Sequence, residues 1–450
     1  MQYVFLDNFR GFTSTLLPLS NVNFFVGENS TGKTSLLALI NTLSSSQFWF
    51  NSNAPFTTPD SPITSTFEDI VSVSSNDKTY LSVGWFTSTE DQKTGHQDYM
   101  AYLITYIEKD GMPKILAFSY LNQESQFHMR MNSNAIFYKS ESPLDLKNIN
   151  YENLTQIFLN LLDIHRRKDT ASEFYKLPRE FLPVGNSLSI LTSMVIGFDH
   201  GVHKKTKLSD IENAIKRVNF MLPQSPFRYP VWLAPIRTKP RNTYDEYSLE
   251  YSAEGKHTPY LIRKYFQTKK ERERFLSFVE QFGNNSNLFE TIGIKNYGPK
   301  VTSPFELNIR LTGNSLKITN VGYGISQILP VVVEVFSRPA STCFLIQQPE
   351  VHLHPKAQVA LGTVFSELAT LEKKIFLIET HSDFIIDGFR LKCKENNLKQ
   401  TNSQIIYFER SAKGNNLYPI PILPDGSLPE SQPKGYRDFF MNHEMRILGY

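Results

Sequence analysis

Residues Gly27 to Thr34 read Gly-Glu-Asn-Ser-Thr-Gly-Lys-Thr, and they follow the apolar run Val22-Asn-Phe-Phe-Val26 without a break. Behind them Ser35-Leu-Leu-Ala-Leu-Ile40 has the composition of a helix start. A strand, a G-x-x-x-x-G-K-[ST] loop and a helix in this order commit the chain to an α/β architecture whose loop closes around phosphate. The glycines Gly27 and Gly32 let the backbone curl, so that the N–H groups of Glu28, Asn29, Ser30, Thr31 and Ser35 converge. Lys33 adds a point charge, and the Thr34 hydroxyl is placed to reach a magnesium ion. The pattern predicts a nucleoside triphosphate, ATP, with Mg2+.

Composition narrows the class further. With 40% hydrophobic and 20% charged residues in 450, the chain is ordinary for a globular protein with two or three lobes. No apolar run approaches the roughly 18 residues of a membrane span. The amino terminus, Met-Gln-Tyr-Val-Phe-Leu-Asp-Asn-Phe-Arg, lacks the basic and apolar regions of a signal peptide. The two cysteines, Cys343 and Cys393, give neither a disulfide framework nor a zinc spacing, which favours a reducing cytoplasm. A net charge of +3 is too small for a general nucleic-acid coat, so any such surface must be local.

Along the chain, strands are expected at Tyr3–Leu6 and Val22–Val26, and a helix to about Leu43. A polar excursion runs from Ser44 to Ser65. Residues 78–139 hold β-prone runs separated by turn signals, among them Tyr80–Phe86, Tyr102–Ile107 and Lys114–Tyr120, the mark of an antiparallel meander. From about Pro143 to Asn219 the spacing turns helical, as in Leu154, Ile157, Phe158, Leu161 and Leu162. Val231–Pro235 returns to strand, and Pro259–Phe289 is helical again. The expected division is a head core from 1–45 and 300–450, a β subdomain at 65–140 and a mainly helical inserted lobe at 141–299.

The last third carries the second set of signals. Phe344-Leu-Ile346 and Ile375-Phe-Leu-Ile378 are short continuous apolar runs, as in strands covered on both faces. The first runs into Gln347-Gln-Pro-Glu-Val-His-Leu-His-Pro355 and the second into Glu379-Thr-His-Ser-Asp383. Upstream, Asn320-Val-Gly-Tyr-Gly-Ile-Ser-Gln-Ile-Leu-Pro330 sets two glycines before an apolar helix. In an open parallel sheet the carboxyl ends of strands line the ligand crevice, so these segments are expected at one site.

Together these motifs resemble the SMC/RecF/OLD-like branch of ABC ATPases, and most nearly the bacterial stand-alone AAA family ATPases of the phage-defence type. The resemblance covers residues 1–45 and about 300–440, with Leu233–Arg237 between. It implies an ABC-type ATPase head with a mostly parallel central sheet, carrying the antiparallel β meander and the helical lobe as insertions. It further implies that two copies sandwich ATP, each phosphate loop facing the partner's signature turn, here Gly322, Gly324 and Ser326. His381 matches a histidine that senses the γ-phosphate. Arg10 resembles an early arginine near the nucleotide, and a surface salt bridge is an equal alternative. His352 and His354 fall in a segment similar to the family's dimer contact, and a metal role for them is the weaker reading. Glu350 and Glu379 are the carboxylates nearest to the expected chemistry.

The chain departs from this pattern at Gln347 and Gln348. Where the family has an acidic residue supporting magnesium, Gln347 brings a neutral carbonyl, and Gln348 cannot take up a proton at neutral pH. Binding should survive better than turnover. A natural slow ATPase, a nucleotide-gated scaffold and a substitution that traps the ATP-bound state all fit. Relatives act on DNA or in anti-phage defence beside a separate nuclease or toxin, and no nuclease constellation is visible here. Partners are therefore expected to be a second copy, a separate effector and DNA. The basic stretches His203–Lys207, Arg237–Arg241, Arg263–Lys264 and Lys269–Arg274 read either as a nucleic-acid surface or as solvated faces.

Overall fold

A computed structural model describes residues 1–45, 48–49, 66–73, 75, 77–90, 97–131, 135–144, 149–167, 174–176, 227, 230–245, 249–396, 402–412 and 414–438. Most of the Ser44–Ser65 excursion, the basic His203–Lys207 stretch and the part of the expected helical stretch from 177 to 219 lie outside the described residues. The chain forms two compact units. One comprises residues 1–20, 28–228 and 408–417, the other 21–27, 229–407 and 418–450. These boundaries cut across the expected division.

The first unit is built on an antiparallel sheet. Its strands are β1 (Gln2–Asp7), β2 (Thr15–Leu19), β4 (Tyr80–Glu90), β5 (Gln97–Lys109), β6 (Met112–Asn122), β7 (Gln126–Met131), β8 (Ile136–Glu141) and β9 (Tyr175–Lys176), in the order β2-β1-β4-β5-β6-β7-β8-β9. The expected meander is therefore present, and the strand expected at Tyr3–Leu6 joins it by pairing Gln2 with Thr87 and Asp7 with Ser82. The register sets Phe5 and Phe86 in one apolar cluster with Phe158, and a slip of one residue would move them to the opposite face of the sheet. One face packs on the helix Tyr151–Arg166, whose Leu154, Phe158, Leu161 and Leu162 form the apolar stripe anticipated from their spacing. The Phe158 ring stacks on Phe5 at 4.7 Å. Asn150 caps this helix by accepting the Asn153 N–H at 2.8 Å. The unit also holds α1 (Lys33–Ser44) and the single turn α2 (Phe67–Ile70), so the Tyr151–Arg166 helix is α3.

The second unit contains the parallel strands. The six-stranded sheet runs β10-β14-β15-β3-β16-β17, with β3 at Val22–Gly27, β10 at Val231–Leu233, β14 at Cys343–Gln347, β15 at Ile375–Glu379, β16 at Ser403–Ser411 and β17 at Gly414–Pro421. The pairs β10/β14, β14/β15 and β15/β3 are parallel. Their apolar runs are buried on both faces, which is why they lack alternation. Helices α4 (Thr258–Tyr265), α5 (Lys269–Ser286), α6 (Tyr323–Ser337), α7 (Pro355–Leu371) and α8 (Asp383–Asn396) and the small sheet β11 (Thr291–Asn296), β12 (Phe305–Leu311) and β13 (Asn314–Lys317) complete the unit. The fold is α/β, as the motifs required. Among the described residues no helix is long and apolar enough to cross a membrane. Cys343 and Cys393 are free thiols.

Candidate nucleotide site

The phosphate loop is where the chain passes from the second unit to the first, between Gly27 and Glu28. Within the first unit the loop folds on itself. The Glu28 carbonyl accepts both the Lys33 ammonium at 2.6 Å and the Thr31 hydroxyl at 2.8 Å. Lys33 is only 3% exposed, so its charge is held out of bulk water. Ser30 and Gly32 take positive φ, 61° and 91°, and a Cβ on Gly32 would fall 2.6 Å from the Phe12 ring. Glycine is required there twice over, by handedness and by space. A curled backbone opening onto a helix amino terminus, with a buried ammonium, fits a chain of phosphates. Arg10 reaches α1 from the other side: its Nη1 donates to Ser35 Oγ at 2.7 Å, while its Nε is buried without a partner. Burial lowers the Arg10 pKa, and Asp69 opposes this.

Within the second unit the carboxyl ends of three strands stand side by side. Phe25 of β3 lies opposite Glu379 of β15, and Glu379 lies opposite Gln347 of β14. The Gln347 amide Nε2 donates to Glu379 Oε2 at 3.3 Å. The next residue, Gln348, is held at φ 40°, and its N–H donates to the Glu379 carbonyl at 2.7 Å. A non-glycine residue in this region is costly, and here the strand pairing enforces it. Glu350 then reaches back to β15: its carboxylate accepts the His381 N–H at 2.8 Å and the Thr380 hydroxyl at 2.9 Å. Burial raises the Glu350 pKa, against these hydrogen bonds and Arg237. With both oxygens engaged, Glu350 positions the His381 turn, whereas Glu379 is the carboxylate that faces Gln347.

Two residues of this cluster lay in segments noted in the sequence but were not expected at the site. Arg237, 2% exposed, follows β10 and donates from Nη2 to the Gln347 carbonyl at 3.2 Å. Its Nε and Nη1 are buried without partners, and burial lowers its pKa to about 10 against the pull of Glu350. Gln327 of α6 clamps the same residue, accepting the Arg237 N–H at 3.2 Å. The signal in the sequence was the resemblance over Leu233–Arg237, while the basic stretch Arg237–Arg241 pointed instead to a nucleic-acid surface or a solvated face.

The signature glycines differ from each other. A Cβ on Gly324 would meet the His352 carbonyl at 2.5 Å, so close packing demands glycine. Gly322 has an ordinary φ of −55° and nothing within 4 Å of a built Cβ. Ser326 turns its hydroxyl to the Tyr323 carbonyl at 2.8 Å. His352 lies edge-on to Tyr323 at 4.8 Å, and His354 caps α7 by accepting the Ala357 N–H. Among the described residues no cluster of three or more His, Cys, Asp or Glu side chains is set to hold a metal ion. The donors expected for magnesium, Thr34 and Gln347, are both neutral.

A family model, the AAA ATPase domain, matches residues 1–386. The chain belongs to this AAA ATPase domain family. It is accordingly an ATPase of the ATP-binding kind, as its phosphate loop requires. Among solved structures, this ATPase is similar to an SMC ATPase studied for ATP-driven dimerization and DNA-stimulated activation, at 10% identity and TM-score 0.29, over 42% of this chain and 97% of that one. It is also similar to the recombination mediator protein RecF-ATPrS of the RecFOR pathway, at 11% identity and TM-score 0.27, over 92% and 97%. A comparison with curated proteins gives no match.

The basic stretches of the ATPase separate on inspection. Arg263 is spent inside the fold, donating to the carbonyls of Ser303 at 2.7 Å and Lys300 at 3.0 Å, with its guanidinium 4.6 Å from the Phe305 ring centre. With Arg237 also buried, neither belongs to a nucleic-acid surface. Lys269 pairs with Glu273 one turn on, as on a solvated helix face.

Proposed function

We propose that this ATPase is a head that closes on ATP with a second copy, each phosphate loop facing the partner's Gly322–Ser326 turn, and that closure controls a separate effector. The observation that carries this reading is the alignment of Phe25, Glu379 and Gln347 across three parallel strand ends, directly before the loop that begins at Gly27. Gly322 supports the partner contact. The fold does not need glycine there, so close approach from outside the chain gives it a reason. A role in anti-phage defence, in the cytoplasm and with DNA as a further partner, follows from the resemblance of the motifs.

By the resemblance of the motifs, the loop N–H groups and Lys33 would hold the phosphates, and Thr34 and Gln347 are the residues assigned to Mg2+, which would neutralise charge on the phosphates. His381, at the turn set by Glu350, senses the terminal phosphate. Gln348 orients water but cannot accept its proton. Glu379 is the carboxylate best placed to substitute, at the cost of its bond with Gln347. Hydrolysis is therefore slow. Gln347→Glu is expected to raise phosphate release at least about tenfold, because a positioned carboxylate of this kind is commonly worth two orders of magnitude. An unchanged rate would show that this position is not the bottleneck. The amide–carboxylate pair also supports a second reading, a nucleotide-gated scaffold, since it satisfies Glu379 without a metal. Tight ATP binding with no phosphate release in a Gln347→Glu, Gln348→Glu variant would decide for it.

A further inference from the structure

The second unit contains a cavity of about 160 Å³ bounded by α6, α4 and the segments after β10. Its inner wall is apolar, from Pro259, Ile262, Leu307, Ile318 and Leu329, with the rings of Tyr244 and Tyr260. Cavities of about 150 Å³ with apolar linings admit a molecule the size of benzene. Three cations, Lys239, Arg241 and Lys256, line it as well, and no Asp or Glu does. Pro330, which also lines the cavity, has no N–H to offer the Ser326 carbonyl one turn back.

The walls are fixed by the fold. Thr238 N–H donates to Glu254 O at 2.8 Å and Ala234 N–H to Ala253 O at 3.1 Å, zipping the two segments together. His257, beside Thr258, hydrogen-bonds Glu334 of α6 at 2.5 Å. Gly255 sits so close to Pro330 that a Cβ would fall 2.6 Å from it. A preformed apolar pocket with few polar groups is the ordinary form of a small-molecule site.

We infer that this cavity binds a small ring-bodied anion. The ring fills the space between Tyr244, Tyr260 and Leu329, and the negative group lies among Lys239, Arg241 and Lys256. An aryl carboxylate and an aryl phosphate share this chemistry.

Calorimetry on the full chain without ATP tests it, with benzoate and phenyl phosphate as probes and benzyl alcohol and inorganic phosphate as controls. Both ring anions, or the one whose headgroup is recognised, should bind at least about tenfold more tightly than either control, from burial of the ring together with its charge. A Lys239→Gln, Lys256→Gln variant, which leaves Arg241 in place, should weaken benzoate and reduce its salt dependence. Binding must persist in Lys33→Ala, which separates this cavity from the phosphate loop. Absence of binding by both ring anions, inorganic phosphate binding as tightly as they do, or affinities indifferent to the lysine variant would overturn the inference and leave the nucleotide reading untouched.

Discussion

Arg237 is a cation that the fold buries at a cost, with one hydrogen bond to show for three donor groups. Leaving buried donors unpaired is unfavourable by about 1–3 kcal/mol each, so the side chain is not there for stability. Its bond to the Gln347 carbonyl fixes the residue on which the proposed metal and water chemistry turns. Arg237→Met, of similar length and without orphan donors, should leave the unfolding free energy unchanged or raise it by about 1–2 kcal/mol. The same variant should lower ATP turnover at least tenfold, because the strand end loses its anchor. Denaturant unfolding and phosphate release, measured on one preparation, check both halves. A loss of stability with turnover intact would refute this role. In the sequence Arg237 closed a segment of the family resemblance and opened a basic stretch, with nothing local to place it under Gln347, whereas Gly32 and Lys33 declared themselves by spacing alone.

Between the meander and α3 lies a buried polar chain that no motif announced. Ser82 Oγ meets Thr105 Oγ1 at 2.8 Å, and Thr105 Oγ1 meets His165 Nδ1 at 2.7 Å. His165 Nε2 meets Ser119 Oγ at 2.7 Å, and Ser119 Oγ meets His128 Nδ1 at 2.8 Å. Burial lowers the pKa of His165 to about 3, with His128 and Arg130 adding to the effect. Burial also lowers His128 to about 4, against Glu141 and with Lys139. Both folded values lie below the ordinary histidine value of about 6.5. Below pH 6.5 the unfolded chain therefore binds protons that the folded one refuses, and stability present at pH 7.5 falls as pH falls toward the folded values. At pH 5 the loss should be about 2 kcal/mol for each histidine. Urea unfolding at the two pH values measures it, and His165→Gln should remove about half of the dependence, leaving the part due to His128. Helix α3 itself was legible, since its apolar stripe repeats at helical spacing. That its last turn carries His165 into a strand network depends on how a helix lies across a sheet.

The sandwich reading makes a claim about the whole molecule that one variant cannot test. Lys33→Ala removes the charge of one half-site, and Gly322→Asp places a carboxylate where the fold leaves open space and the partner's phosphate is proposed to dock. Each variant alone should lose at least about 90% of turnover, since both half-sites of a homodimer carry the defect. Mixed one to one, a statistical half of the dimers pair the two variants and regain one intact site of two, so about a quarter of the wild-type rate should return. No recovery on mixing, with ATP-dependent association retained, would refute composite sites. The sequence by itself determined the phosphate loop, the α/β class, the buried parallel strands and the meander, because each rests on local spacing, turn chemistry or the period of apolar residues. Only the tertiary structure decided that β1 joins the meander and that Gln347 faces Glu379, 32 residues away. It likewise decided that Arg237 lies under the Gln347 carbonyl 110 residues on, and that Gly324 is needed for packing while Gly322 is not. Strand register and side-chain partners follow from how separate segments bury their apolar faces against each other, and no local pattern records that choice.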